Sequence, residues 1–245
     1  MKKEDCLGQW AQYVNDNVWS ALVDEIKTYY DDTTGKYRCT PNKDQIFQAF
    51  QLCPPQDIRV IFIGNDPYPN IDSAGNAIVS PAEGIAFSHN SNINLQASMK
   101  SLQDVINVSN GYLSKGSFGP DLSSFAKNNV LIINSKLIYV SKQNNNIWEQ
   151  VDLNVDVWKN FFNEIQKGFP KGHDIGVVIF GDVAKGICVI DYNQHKNCKI
   201  AKVVHPSSED WSKYVYDKTN ILITPSYKTQ KACVDIIKTE FKKIQ

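Results

Sequence analysis

Ile58-Arg59-Val60-Ile61-Phe62-Ile63 runs directly into Gly64-Asn65-Asp66-Pro67-Tyr68-Pro69. A short run rich in β-branched side chains that stops at a glycine and a proline reads as a buried strand closed by a turn. Upstream, Trp10, Val14, Val18, Leu22 and Ile26 recur at helical spacing, which predicts a helix leading towards that strand. The pairing repeats downstream. A helix is expected around Leu95 to Val108, a strand over Val130 to Ile133, a helix around Val155 to Ile165 and a strand over Ile175 to Phe180. A short strand near Lys202 to Val204 and a C-terminal helix holding Val234, Ile237 and Phe241 complete the series. Such alternation predicts an α/β fold: one domain over residues 1–245, with a central, mainly parallel four-stranded sheet flanked by helices on both faces. Sheets of this kind bind ligands beyond the carboxyl ends of their strands, so the informative residues are those just after each strand.

The 245 residues suffice for one sizeable core. With 42% hydrophobic and 21% charged residues, the composition is that of an ordinary globular protein, and no apolar run approaches the roughly 20 residues that cross a bilayer. No membrane partner is expected. Met1-Lys2-Lys3-Glu4-Asp5 leads to Trp10 and Tyr13 without a long apolar stretch, which predicts an intracellular protein. Cysteines at 6, 39, 53, 188, 198 and 233 show none of the short paired spacings of zinc or iron–sulfur sites. They read as reduced thiols, and no metal or other cofactor is expected. The formal net charge is zero, which argues against DNA binding by bulk charge alone. From residue 185 onward, however, 11 lysines face 6 acids, so this part carries +5 and the remainder −5. Lys196, Lys199 and Lys202 lead straight to His205, a stretch suited to phosphate contact or simply to solvation.

Polar groups stand at the predicted strand ends: Asn65 and Asp66 after the first strand, Asn134 after the second, His205 after the last. Singly, each has an ordinary structural explanation, since Asp66 before proline suits a turn and an asparagine suits a strand end. Together, on separate strand ends, they mark a candidate site. Two irregular stretches, Asn70 to Glu83 and Pro206 to Tyr227, are long enough to carry function.

Ile61-Phe62-Ile63-Gly64-Asn65-Asp66-Pro67-Tyr68 resembles the water-activating motif of the classical uracil-DNA glycosylases, usually Gly-Gln-Asp-Pro-Tyr-His. Gly84-Ile85-Ala86-Phe87-Ser88 is similar to the family's Gly-Leu-x-Phe-Ser, and Val130-Leu131-Ile132-Ile133-Asn134 to its Leu-Leu-Leu-Asn. His205-Pro206-Ser207 matches the start of its His-Pro-Ser-Pro loop, and Pro41 through Cys53 resembles the segment before the first motif. The matches follow the family's order over about residues 10 to 205.

The resemblance implies roles that suit the chemistry. Cleaving an N-glycosidic bond passes through a cation-like sugar and an anionic base, so it needs negative charge beside the sugar and a donor at the departing oxygen. Asp66 is implied as the group that orients water, and His205 as the donor to uracil, a hydrogen bond worth roughly 1.5–3 kcal/mol. A neutral imidazole suffices. Phe87 is implied to stack on the flipped base, Asn134 to pair with uracil and reject cytosine, Tyr68 to exclude the thymine methyl, and Asn65 to share in the base-binding set. Ser98, Ser207 and Ser208 are implied DNA contacts. Uracil-containing DNA is the expected partner, with a protein inhibitor or replication partner also to be considered, and the expected state is a monomer.

Three departures stand out. Pro69 replaces the family's histidine and offers no donor; Asn65 replaces its glutamine; and Glu209-Asp210 stand where an apolar wedge is expected. Trp211 is the nearest side chain able to fill a vacated base stack. The Asn70 to Glu83 loop is longer than its usual counterpart. Two other readings therefore stay open: a DNA-binding or polymerase processivity module with reduced catalysis, and a glycosylase for another modified pyrimidine.

Overall fold

The computed structural model describes residues 1–89, 98–99, 119–203, 205, 235–237 and 239–240. Its centre is a four-stranded, all-parallel sheet in the order β3-β2-β6-β7. Here β2 is Val60–Gly64, β3 Val130–Asn134, β6 Ile175–Phe180 and β7 Cys198–Val203. Every residue of β2 and β6 is buried, so both faces of the sheet's middle are covered, as a parallel sheet requires. The parallel α/β core expected from the alternating pattern is therefore present. At the edge, β7 starts four residues before the expected Lys202, because Lys199 and Lys202 interrupt its apolar signal.

The N-terminal helix differs from its sequence reading. Trp10 lies in a 3-10 turn, Gly8–Tyr13, and Val14 lies outside the following helix, α2 (Asp16–Tyr30), which follows the short α1 (Lys3–Leu7). The break is at Asn15, which caps α2 by accepting from the Val18 N–H at 3.0 Å. Its own backbone N–H and side-chain amide donate to Glu164 Oε2. Apolar spacing persisted across this junction because Trp10, Val14, Leu22 and Ile26 all face one core. A cap is a stronger boundary than the periodicity that spans it.

Three short helices follow or flank the sheet: α3 (Gln48–Leu52), α4 (Ser123–Ala126) and α6 (Asp182–Ile187). The longer α5 spans Val155–Ile165, as its sequence predicts. Asn154 caps it, accepting from the Asp156 N–H at 3.2 Å, and Trp158, Phe161, Phe162 and Ile165 form its buried stripe. The expected helix around residues 95–108 lies outside the described residues apart from Ser98 and Met99, and so do Val234 and Phe241 of the expected C-terminal helix.

A second sheet has no counterpart in the sequence reading. It is antiparallel, in the order β1-β4-β5, with β1 Tyr37–Thr40, β4 Tyr139–Asn144 and β5 Ile147–Gln150. Strands β4 and β5 form a hairpin with Asn145 and Asn146 at its turn, both at positive φ, which is the backbone that tight hairpins demand and asparagine tolerates.

The long loop after Tyr68 docks on this sheet. Asp72 accepts from the N–H groups of Ala74 and Asn76, closing a turn in which Gly75 has φ +77°. A Cβ on Gly75 would stand 2.3 Å from Ile147 Cγ2, and the Trp148 N–H donates to the Gly75 carbonyl at 2.9 Å. Arg38 lies over the Trp148 ring and donates to the Ile78 carbonyl, while Ser141 donates to Asn70 Oδ1 at 2.8 Å.

Candidate active site

The parallel register sets the site's floor. Gly64 ends β2 directly opposite Asn134 at the end of β3, and a Cβ on Gly64 would lie 2.5 Å from Asn134 Oδ1 and 3.2 Å from the Phe87 ring. Only glycine lets the amide and the ring sit this close to the strand. The chain then turns through Asn65 and Asp66. The Asn65 carbonyl accepts from Ser135 Oγ at 2.7 Å and from the Lys136 N–H at 3.1 Å, and its side-chain oxygen accepts from the Ala184 N–H at 3.1 Å. The turn that carries Asp66 is thereby tied to the ends of β3 and α6.

A cavity of about 320 Å³ opens above this floor, bordered by Asn65, Asp66, Tyr68, Phe87, Ser98, Asn134 and His205, together with Pro67, Pro69, Ala82, Gly84 and Ile85. Seven of the ten residues predicted for the site thus meet at one place. Ser207, Ser208 and Trp211 lie outside the described residues.

One wall is aromatic. Phe87 has φ 62°, the left-handed region that a bulky residue occupies at a cost of about 1–3 kcal/mol. Its carbonyl accepts from the Tyr68 hydroxyl at 2.8 Å, and that hydroxyl in turn accepts from Ser98 Oγ at 3.1 Å. Burial pushes the Tyr68 phenol up to about 12, with the Ser98 bond acting in the other direction. The phenol is therefore a fixed, neutral wall. Ser98 is 5% exposed, so its hydroxyl stands behind Tyr68. The Phe87 ring packs edge-on against Phe180, centroids 5.1 Å apart, and faces the His205 ring at 6.0 Å and 35°.

Opposite signs of influence act on His205. Burial lowers its pKa below the ordinary imidazole value, and the Asp66 carboxylate works in the raising direction. The imidazole is neutral at pH 7, as a donor to a developing anion can be. Around Asp66, Gln150 Nε2 donates to Oδ2 at 3.2 Å, and Lys136 Nζ lies 3.8 Å from the same oxygen. Burial, and after it the Asp66 charge, raises the Tyr139 phenol. Sequence reasoning missed Gly64, Lys136 and Gln150. Gly64 was visible as the last residue of the first strand; Lys136 and Gln150 carry no local signal.

No family model matches the chain. A Campylobacter jejuni protein named uracil-DNA glycosylase (strain 81-176) is 28% identical over 209 residues, covering 81% of this chain and 79% of its own length. Proteins of the same name from two further strains match to the same extent. Among solved structures, mimivirus uracil-DNA glycosylase aligns with a TM-score of 0.53 at 20% identity, covering 83% of this chain and 73% of that one. A variant of the mimivirus protein in complex with UGI gives 0.55 at 20% identity, over 83% and 74%. The chain is similar in sequence to proteins named uracil-DNA glycosylase and shares the fold of the mimivirus protein of that name.

Proposed function

We propose that the protein hydrolyses the N-glycosidic bond of uracil in DNA and leaves an abasic site. The observation that carries this reading is the convergence of Asp66, Asn134 and His205, from the ends of three different strands, on one cavity with an aromatic wall. A carboxylate, an amide and a neutral imidazole around a space of base size suit excision of a pyrimidine.

In this mechanism the uridine leaves the stack at a cost of a few kcal/mol, which the pocket recovers. Phe87 stacks on the base, worth about 1–3 kcal/mol. Asn134 offers a donor and an acceptor to uracil's carbonyl and imide N–H, the reverse of what cytosine presents. The fixed Tyr68 ring occupies the space of a thymine methyl, and Asn65 holds the turn beneath the base. The bond from N1 to the sugar breaks with its electron pair moving onto uracil, where His205 donates a hydrogen bond to the anionic oxygen. Asp66 opposes the positive charge on the sugar and orients the water that adds to it; the water's proton is released and the uracil anion takes one from solvent.

Ser98, Ser207 and Ser208 contact the strand, Ser98 through its backbone N–H, and Trp211 fills the vacated stack. The chain acts as a single-domain, intracellular monomer. No helix among the described residues is long and apolar enough to cross a membrane. A proteinaceous inhibitor such as UGI, which binds the mimivirus variant, is a partner suited to the same cleft.

The test is incubation with a labelled uracil-containing oligonucleotide followed by alkaline cleavage of abasic sites. Strand scission at uracil is expected. Intact oligonucleotide with folded protein would reject excision and favour a DNA-binding or polymerase-associated module; scission only at another modified pyrimidine would reassign the substrate.

A further inference from the structure

The water-orienting turn of this chain lacks a donor at Pro69, yet Asp66 is not left to a single support. Gln150 Nε2 donates to Asp66 Oδ2 at 3.2 Å, and Lys136 Nζ approaches the same oxygen to 3.8 Å. The two groups come from different directions. Lys136 follows β3, with its backbone N–H bonded to the Asn65 carbonyl; Gln150 ends β5, opposite Ser141 of the antiparallel sheet. A hydrogen bond and a nearby ammonium converging on one oxygen restrict the plane of the carboxylate, and with it the direction of the other oxygen. The Lys136 side chain is only 13% exposed and that of Asp66 is 29% exposed. A partly solvated pair at this distance adds little to folding stability. Its effect is on orientation and on local charge, because an ammonium beside Asp66 offsets the repulsion between that carboxylate and the phosphates of a bound strand.

We propose that Lys136 and Gln150 are positioning residues for Asp66, supplying from the segment after β3 and from the second sheet the orientation that Pro69 cannot supply from the turn. This rests on the assignment of uracil excision to the cavity.

The experiment compares Lys136→Met, Lys136→Arg and Gln150→Leu with the unaltered protein. Single-turnover excision of uracil, affinity for an abasic oligonucleotide and the side-chain carboxyl 13C resonance of Asp66 are measured for each. Lys136→Met should slow the single-turnover step by roughly three- to tenfold, since 3.8 Å is an ion-pair approach rather than a hydrogen bond. Affinity should change little, and Lys136→Arg should restore most of the rate. In an Asp66→Asn background, Lys136→Met should cost nothing further, since a residue acting through Asp66 has nothing left to act on. The Asp66 resonance should move in Lys136→Met and return towards its original position in Lys136→Arg.

A wild-type rate in folded Lys136→Met overturns the proposal. So does a loss confined to affinity with a shallower salt dependence, which would make Lys136 a phosphate contact. If Lys136→Met does not fold, Gln150→Leu decides, since Gln150 is an exposed strand residue: an unchanged rate and resonance there reject the pair. The resonance does not depend on turnover. A wild-type protein that cuts no uracil therefore overturns the assigned reaction alone, while an unmoved resonance overturns the positioning role.

Discussion

In the parallel sheet every side chain of β2 and β6 is buried, whereas the antiparallel sheet buries the last residue of β1, the first half of β4 and no residue of β5. The first is enclosed by the core and presents chemistry only where its strands end. The second is half-solvated, holds the long loop after Tyr68 and reaches the site through Gln150. A sheet packed on both faces resists displacement, because close-packed interiors transmit strain. Groups that must be placed within fractions of an ångström therefore belong at its ends. The exposed sheet has more freedom, and its contribution is to brace groups that the first sheet has already placed.

This contrast is broken or sharpened by substitutions on either side. The largest effect is expected from Asp66→Asn, which removes charge with little change of shape. Single-turnover excision should fall by roughly 10²–10⁴-fold while the melting temperature and uracil-DNA binding stay near wild type. Near-normal rates would remove the parallel sheet's end from the chemistry.

Next is the floor. In Gly64→Ala the new Cβ would need the space 2.5 Å from Asn134 Oδ1, so the amide must move. Excision should drop by about a hundredfold, with discrimination between uracil and cytosine weakened, because a misplaced donor and acceptor forfeit the hydrogen-bonding pattern. Competition between uracil- and cytosine-containing strands measures this. Full discrimination in a folded Gly64→Ala protein would mean that Asn134 does not read the base.

On the antiparallel side, Gly75→Ala places a Cβ 2.3 Å from Ile147 at a φ of +77°. A loss of about 1–3 kcal/mol in denaturant melts is expected. Excision per folded molecule should change by no more than several-fold. A collapse of activity at unchanged stability would show that the loop itself meets the substrate.

The smallest effect concerns pH. Burial lowers the pKa of His205, against the pull of Asp66; burial and then Lys171 lower that of His195, against Asp191. The unfolded chain takes up these protons near pH 6.5 and the folded chain only at lower pH. Their stability contribution is therefore complete above about pH 6.5 and is lost as the pH falls through the lowered folded values. Both ring nitrogens of His195 are buried without a hydrogen-bond partner among the described residues. His195→Leu should flatten the acid side of the stability profile and leave excision untouched, while His205→Gln should lower excision. An unchanged acid profile in His195→Leu would place the sensitivity elsewhere.

The legible part of the fold is the part with local periodicity. The strands Val130–Asn134 and Ile175–Phe180 and the helix Val155–Ile165 each bury a continuous run or a stripe, and composition reports that directly. The antiparallel sheet escaped because β1 and β5 are four residues long and mostly half-buried or exposed, too short and too wet for an apolar pattern. The Asn145-Asn146 turn was the one available signal.

By itself the sequence determined that strands and helices alternate, that polar groups stand at the strand ends and that the motifs occur in a recognisable order. These are properties of neighbouring residues and of their solvation. Only the tertiary structure decided that Gly64 lies against Asn134, that the Tyr68 hydroxyl holds the backbone of Phe87, and that Lys136 and Gln150 converge on Asp66. Gln150 is 84 residues from Asp66 in the chain. A contact across such a separation leaves no periodic trace, because it follows from sheet order and register, which the whole core selects by burying its apolar faces together.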